Sequence, residues 1–124
     1  MKPSRLLVFL LVFVLLFAAW PVSPAQAATI CDWAQFIADV TIPDGTVMAP
    51  GTAFTKTWRL KNIGTCTWGS GYRLAFSSGS QMDAPAEVNL PYSVAPGQMV
   101  DVSVTMTAPS TPGTYRGYWL LKNA

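Results

Sequence analysis

Apolar and polar residues alternate with a period of two along most of this chain, and proline and glycine separate the segments that do so. Met99 to Ala108 is the clearest case. Val100, Val102, Val104 and Met106 alternate with Asp101, Ser103, Thr105 and Thr107, which predicts a strand packed on one face and wetted on the other. Phe54 to Asn62 repeats the pattern, with Phe54, Trp58 and Leu60 on one side and Thr55, Thr57, Arg59 and Lys61 on the other. Lys56 falls on the apolar side, where its stem is expected to lie on the core while its ammonium reaches solvent. Phe36 to Ile42, Tyr72-Leu74-Phe76, Val88-Leu90 and Tyr115 to Leu121 supply further strands. In the last of these, Tyr115, Gly117, Trp119 and Leu121 form one face and Arg116, Tyr118, Leu120 and Lys122 the other. Both faces mix polar and apolar groups, so periodicity leaves open which is buried.

Pro43-Asp44-Gly45, Ala49-Pro50-Gly51, Asn62-Ile63-Gly64, Ser78-Gly79-Ser80, Ala95-Pro96-Gly97 and Ala108 to Gly113 punctuate the strands. Each offers proline's fixed φ, glycine's access to positive φ, or both. No segment after residue 34 reads as an amphipathic helix. About six short strands with turn signals every 8–12 residues predict an all-β protein, an immunoglobulin-like antiparallel sandwich of two sheets. The alternation stops at Lys122-Asn123-Ala124, one strand short of seven. Two readings follow: an open sheet edge, or a sequence that is a fragment.

The N-terminal segment has a different pattern. Lys2 and Arg5 precede an uninterrupted apolar run from Leu6 to Trp20, and Pro21 and Pro24 then lead to Ala25-Gln26-Ala27. This resembles a signal peptide with an A-x-A cleavage site, and the run is shorter than the ~20 residues a helix needs to cross a bilayer core. The expectation is cleavage between Ala27 and Ala28, giving residues 1–27 as signal peptide and 28–124 as a single domain, secreted or displayed at the cell surface. Retention as an N-terminal membrane anchor is the alternative. Lipidation at Cys31 fits less well, because Thr29 and Ile30 do not supply the small-residue context of a lipidated cysteine.

Charge and cysteine content narrow the function. Without Lys2 and Arg5, Lys56, Arg59, Lys61, Arg73, Arg116 and Lys122 balance Asp32, Asp39, Asp44, Asp83, Glu87 and Asp101, and with no basic run nothing points to nucleic acid. The chain has two cysteines, Cys31 and Cys66, and no histidine. Export would place both thiols in an oxidising compartment, where they are expected to pair. A structural zinc site would lack its usual four ligands, and no metal or cofactor is expected. A Ser-His-Asp or Cys-His catalytic arrangement has no histidine to use. Gly69-Ser70-Gly71 lacks the spacing of a nucleophile elbow and reads as a turn. Asp83 with Glu87, or Asp39 with Asp44, could in principle pair for glycoside hydrolysis, but six acids are what solubility alone requires.

The motifs Asp39-Val40-Thr41-Ile42-Pro43-Asp44-Gly45-Thr46, Pro50-Gly51, Phe54 to Asn62, Gly64, Trp68, Ala95-Pro96-Gly97, Ala108-Pro109 and Gly113 to Trp119 together resemble the four-tryptophan (FW) domain. That is the Ig-like domain of cargo receptors of the next-to-BRCA-one type, which also occurs in exported bacterial proteins. The resemblance covers about residues 35 to 123. It implies a β-sandwich that works in protein–protein interaction without a catalytic site. It places three of the family's tryptophans on Trp58, Trp68 and Trp119, and the fourth in a final strand this chain lacks.

Trp58 shares a face with Phe54 and Leu60 and is expected in the core, while Trp68, two residues after Cys66, is expected to shield the disulfide. Tyr115 beside a Pro-Gly turn resembles a tyrosine corner. Arg116 and Tyr118 share a face and belong to types enriched at protein interfaces, which makes them the candidate binding surface. The functional expectation is a non-enzymatic module that binds a protein partner. A glycan-binding module and a structural spacer of a larger extracellular protein are the alternatives.

Overall fold

The structure, a computed structural model, describes residues 29–124. The expected signal segment and the cleavage residues Ala27 and Ala28 lie outside the described residues. Six strands follow in order: β1 (Ala34–Asp39), β2 (Ala53–Asn62), β3 (Arg73–Gly79), β4 (Glu87–Asn89), β5 (Met99–Thr107) and β6 (Gly117–Lys122). They form two three-stranded antiparallel sheets, ordered β1-β2-β5 and β4-β3-β6. This is the immunoglobulin-like sandwich expected from the period-two pattern.

The two longest alternating segments form the central contact of the first sheet. β2 pairs with the whole of β5, from Ala53 opposite Thr107 to Lys61 opposite Met99. That register sets Leu60 beside Val100, Trp58 beside Val102 and Phe54 beside Met106 on the inner face. Val100, Val102, Val104 and Met106 are buried, each burial stabilising the fold by about 1.5–3 kcal/mol relative to exposure. Outside, Thr57 meets Ser103 at 2.8 Å, and Arg59 grips Asp101 through two bonds of 2.8 and 2.9 Å. Trp68, Leu74, Ala84 and Val94 complete the core from the second sheet and its loops.

Two findings correct the sequence reading of β2. The fully buried indole is that of Trp68, while Trp58 is half-buried and packs at the core's margin. Trp68 earns its place through the loops: its backbone exchanges two hydrogen bonds with Val94, at 2.9 and 3.0 Å, forming a bridge that period-two counting along one segment cannot reveal. Lys56 is also buried, 7% exposed, and its ammonium does not reach solvent. A bulge in β1 between Phe36 and Ala38 is the reason. It returns Asp39 to the inner side opposite Trp58, where its carboxylate accepts from Lys56 Nζ at 2.6 Å. The carbonyls of Ile42 and Thr41 accept from the same ammonium at 2.7 and 3.1 Å, and Ile42 holds a left-handed φ of 49°.

Cys31 and Cys66 are joined as a disulfide that ties the segment before β1 to the β2–β3 connection. Fully buried Asn62 organises the same region. Its amide donates to the carbonyls of Cys66 and Val94, both at 2.9 Å, and accepts from the Gly64 N–H at 3.0 Å. Gly64 is required here, because a Cβ would run into the Cys31 carbonyl oxygen.

Candidate interaction surface

Of the carboxylates considered for catalysis, Asp39 and Glu87 are held by structural partners. Asp39 is held by Lys56, and Glu87 accepts from Lys122 at 2.9 Å and from Arg73 at 3.3 Å. Asp83 sits in a turn with a positive φ of 55°. Among the described residues no group of three or more His, Cys, Asp or Glu side chains could hold a metal ion.

β6 resolves the ambiguity that periodicity left. Gly117, Trp119 and Leu121 face inward, where Trp119 packs edge-on to Phe76 and tilted against Trp58. Tyr118, Leu120 and Lys122 face outward and are exposed. The strand begins at Gly117, so Tyr115 belongs to the turn before it, and its hydroxyl donates to the Thr111 carbonyl at 2.6 Å. That bond to the backbone four residues upstream is the anchoring role expected of a tyrosine corner.

The outer face of the second sheet therefore carries Tyr118 and Leu120 side by side, 53% and 61% exposed. Register sets Leu120 opposite Ala75 and Tyr118 opposite Ser78, so small neighbours leave both side chains prominent. Charge frames them. At one end the Arg73–Glu87–Lys122 cluster holds the Glu87 carboxyl below its usual range, chiefly through the Lys122 hydrogen bond. At the other, exposed Arg116 directly precedes β6, and the Tyr118 side chain, with the charge of Asp44, raises its guanidinium's already high pKa. Arg116 and Tyr118, the two residues singled out in the sequence, thus share one exposed patch. Leu120 was equally legible, two residues beyond Tyr118 on the same face, but an apolar residue in a strand reads first as core.

A second feature lies along the flank shared by β1 and β6. Asp32, Trp33, Ala34, Tyr72, Phe76 and Leu121 are among the residues lining an open groove of about 540 Å³ between the segment leading into β1 and the second sheet. Trp33 is 51% exposed, and Phe36, opposite Leu60 on the inner side of β1, is 57% exposed. Sequence alone counted Phe36 as a strand residue, and Trp33 lies outside the quoted motifs.

Fold and surface together define a class: an immunoglobulin-like β-sandwich with an apolar, charge-framed patch on one sheet. Residues 41–124, more than half of the chain, match the family described as the Ig-like domain from next to BRCA1 gene, and the chain belongs to that family. It is 43% identical over 93 residues to Protein JOKA2 of Solanum tuberosum, covering 73% of this chain and 11% of that protein. It is 42% identical over 92 residues to Protein ILRUN of Danio rerio, covering 73% and 31% respectively. Against human Next to BRCA1 gene 1 protein the identity is 37% over 106 residues, covering 83% of this chain and 11% of that protein. The chain thus matches from about a tenth to a third of these relatives' length.

Proposed function

We propose that residues 28–124 form an exported, non-enzymatic module that binds a protein partner through the outer face of the β4-β3-β6 sheet. The observation that carries this reading is the adjacent pair Tyr118 and Leu120, both more than half exposed and framed by Arg116 and the Arg73–Glu87–Lys122 cluster. An apolar centre with a charged rim is the usual anatomy of a protein interface. Membership of a family found in next-to-BRCA-one proteins supports an interaction role. Export rests on the charged start, the short apolar run and Ala25-Gln26-Ala27. Affinity capture from secreted and envelope fractions tests the reading, with Leu120→Asp beside the parent chain. Leu120 is exposed, so the variant should keep its melting temperature and lose the captured protein. Capture that survives Leu120→Asp overturns the assignment.

A glycan-binding reading is favoured by a different feature, a cleft lined by Ser70, Tyr72, Arg73, Asn89, Tyr92 and Ser93 among others. Aromatic rings beside hydroxyl, amide and guanidinium donors suit a sugar. Binding to a glycan array that is lost on Tyr92→Ala would establish this reading, and an array without signal would remove it.

A further inference from the structure

The segment ahead of β1 is attached to the sandwich chiefly by one covalent bond. Thr29, Ile30, Cys31 and Asp32 are all exposed, so none of them supplies a buried apolar anchor. Backbone bonds add little: the carbonyls of Ile30 and Cys31 accept from the Thr65 and Cys66 N–H groups at 3.0 and 3.1 Å. Water competes for bonds as exposed as these. The Cys31–Cys66 disulfide therefore carries the attachment, and exposed Cys31 leaves it open to attack by a thiol.

Asp32, next in the chain, converts this attachment into a contact with the second sheet. Its carboxylate accepts from the Tyr72 hydroxyl at 2.8 Å and from the Asn123 amide at 3.0 Å. The bond to Asp32 is also the main reason the Tyr72 pKa lies above its usual 10.0. Tyr72, half-buried at the entry to β3, belongs to the wall of the cleft that also contains Arg73, Asn89 and Tyr92.

We propose that the Cys31–Cys66 disulfide is a redox switch whose moving part is the strap Thr29–Asp32 and whose output is the position of Tyr72. An external dithiol opens it: one thiolate attacks a cysteine sulfur, the other cysteine leaves as a thiolate, and the second thiol of the reductant resolves the mixed disulfide. Two electrons and two protons end on Cys31 and Cys66, and the reductant is left as a disulfide. The strap then swings about Trp33, whose carbonyl still accepts from the Ile63 N–H at 3.0 Å. Asp32 leaves with it, and Tyr72 loses the acceptor that fixes its ring.

The other half of the clasp stays in place. The Cys66 carbonyl is held by the amide of fully buried Asn62, and the core cluster includes no residue of the strap. An oxidising compartment keeps the strap shut, and thiol-rich surroundings open it. The device does not depend on what the cleft binds.

Linkage makes the coupling measurable from either end. A disulfide that holds Asp32 on Tyr72 must itself be favoured by that contact. The test equilibrates the 124-residue chain with oxidised and reduced dithiothreitol and reads the oxidised fraction by thiol alkylation. Tyr72→Phe and Asp32→Asn should each shift the equilibrium toward the reduced protein by about threefold or more, while Tyr115→Phe, which removes a hydroxyl bond elsewhere, leaves it unchanged. NMR of the reduced parent supplies a second readout. The Tyr72 ring resonances should move and the Thr65 and Cys66 amides should lose protection, with the Val102 and Val104 amides still dispersed. An equilibrium indifferent to both Tyr72→Phe and Asp32→Asn overturns the switch, as does a reduced chain whose Tyr72 ring has not moved. Reduction that unfolds the whole domain, with Val102 and Val104 losing dispersion, overturns it too, since the disulfide would then be a plain staple.

Discussion

The indole of Trp58 lies against that of Trp119, with ring centroids 5.8 Å apart and planes tilted by 44°. This contact joins β2 to β6 across the interface between sheets that share no backbone hydrogen bonds. Trp58→Ala is expected to cost about 3 kcal/mol, the low end of the range for tryptophan truncation because the ring is only half-buried. Trp119→Ala should cost a similar amount, and the double variant should fall short of additivity by about 0.5–1.5 kcal/mol. Chemical denaturation of the four proteins measures all three quantities, and full additivity would show that the rings do not act together.

Fully buried Asn62 makes three hydrogen bonds through its side-chain amide. Asn62→Ala strands the Gly64 N–H and deprives the Cys66 and Val94 carbonyls of their amide donor, although Val94 keeps its bond to the Trp68 N–H. Buried groups left unpaired cost about 1–3 kcal/mol each, so the variant should lose roughly 2–4 kcal/mol and expose the Trp68 region. Asn62→Asp should be worse, since it replaces a donor by a charged acceptor facing two carbonyls. Trp68 fluorescence and the denaturation midpoint together check this.

Reducing the Cys31–Cys66 disulfide frees a loop with a sequence separation of 35. In the chain-entropy model the loss is ~3–4 kcal/mol. The melting temperature should fall by tens of degrees at most and recover on reoxidation, because the core is built from other residues. A reduced protein that melts with the oxidised one would mean that the unfolded chain was already compact there.

Acid should weaken the second sheet through Glu87. Its folded pKa lies below the ordinary value of 4.5, first because of the Lys122 hydrogen bond. A depressed carboxylate contributes stability that is fully present above pH 4.5 and fades as pH falls through the folded value. Asp101, lowered chiefly by its bond from Arg59, acts in the same direction. Both sites are exposed, so the effect is small. Melting temperature against pH should slope downward below pH 4.5, and Glu87→Gln should flatten that slope without changing the midpoint of the Asp101 contribution. A slope unaltered in Glu87→Gln would assign it elsewhere.

The residues that could be read in advance are those whose environment is set by their own strand. β5 is the model case, with four inward side chains at alternating positions and a polar partner between each. Tyr115 was legible because its hydrogen bond is local, four residues long. What escaped depended on distant chain. Lys56 finds its counter-ion only because a bulge in β1 turns Asp39 inward. Trp68 is central because it pairs with Val94. Asn62, at the end of a strand and before a turn, reads as a turn residue, and its bonds to Gly64 and Cys66 are local; what escaped was its reach of 32 residues to the Val94 carbonyl. On the surface, Arg116 and Tyr118 were found by residue type and parity, whereas the groove under Trp33 is lined by residues from three separate segments of the chain.

The disulfide also determines how the domain responds to tension. A pull applied at Thr29 reaches Cys31 and passes straight to Cys66, bypassing everything between. β1 and β2 lie wholly inside that span, so the load cannot peel β1 from β2 residue by residue, as it would in an antiparallel pair pulled from its free end. The force falls instead on the segments after Cys66. An oxidised molecule stretched from its ends should lengthen without the contour of residues 31–66 and should recover that length in a separate step once a reductant is present.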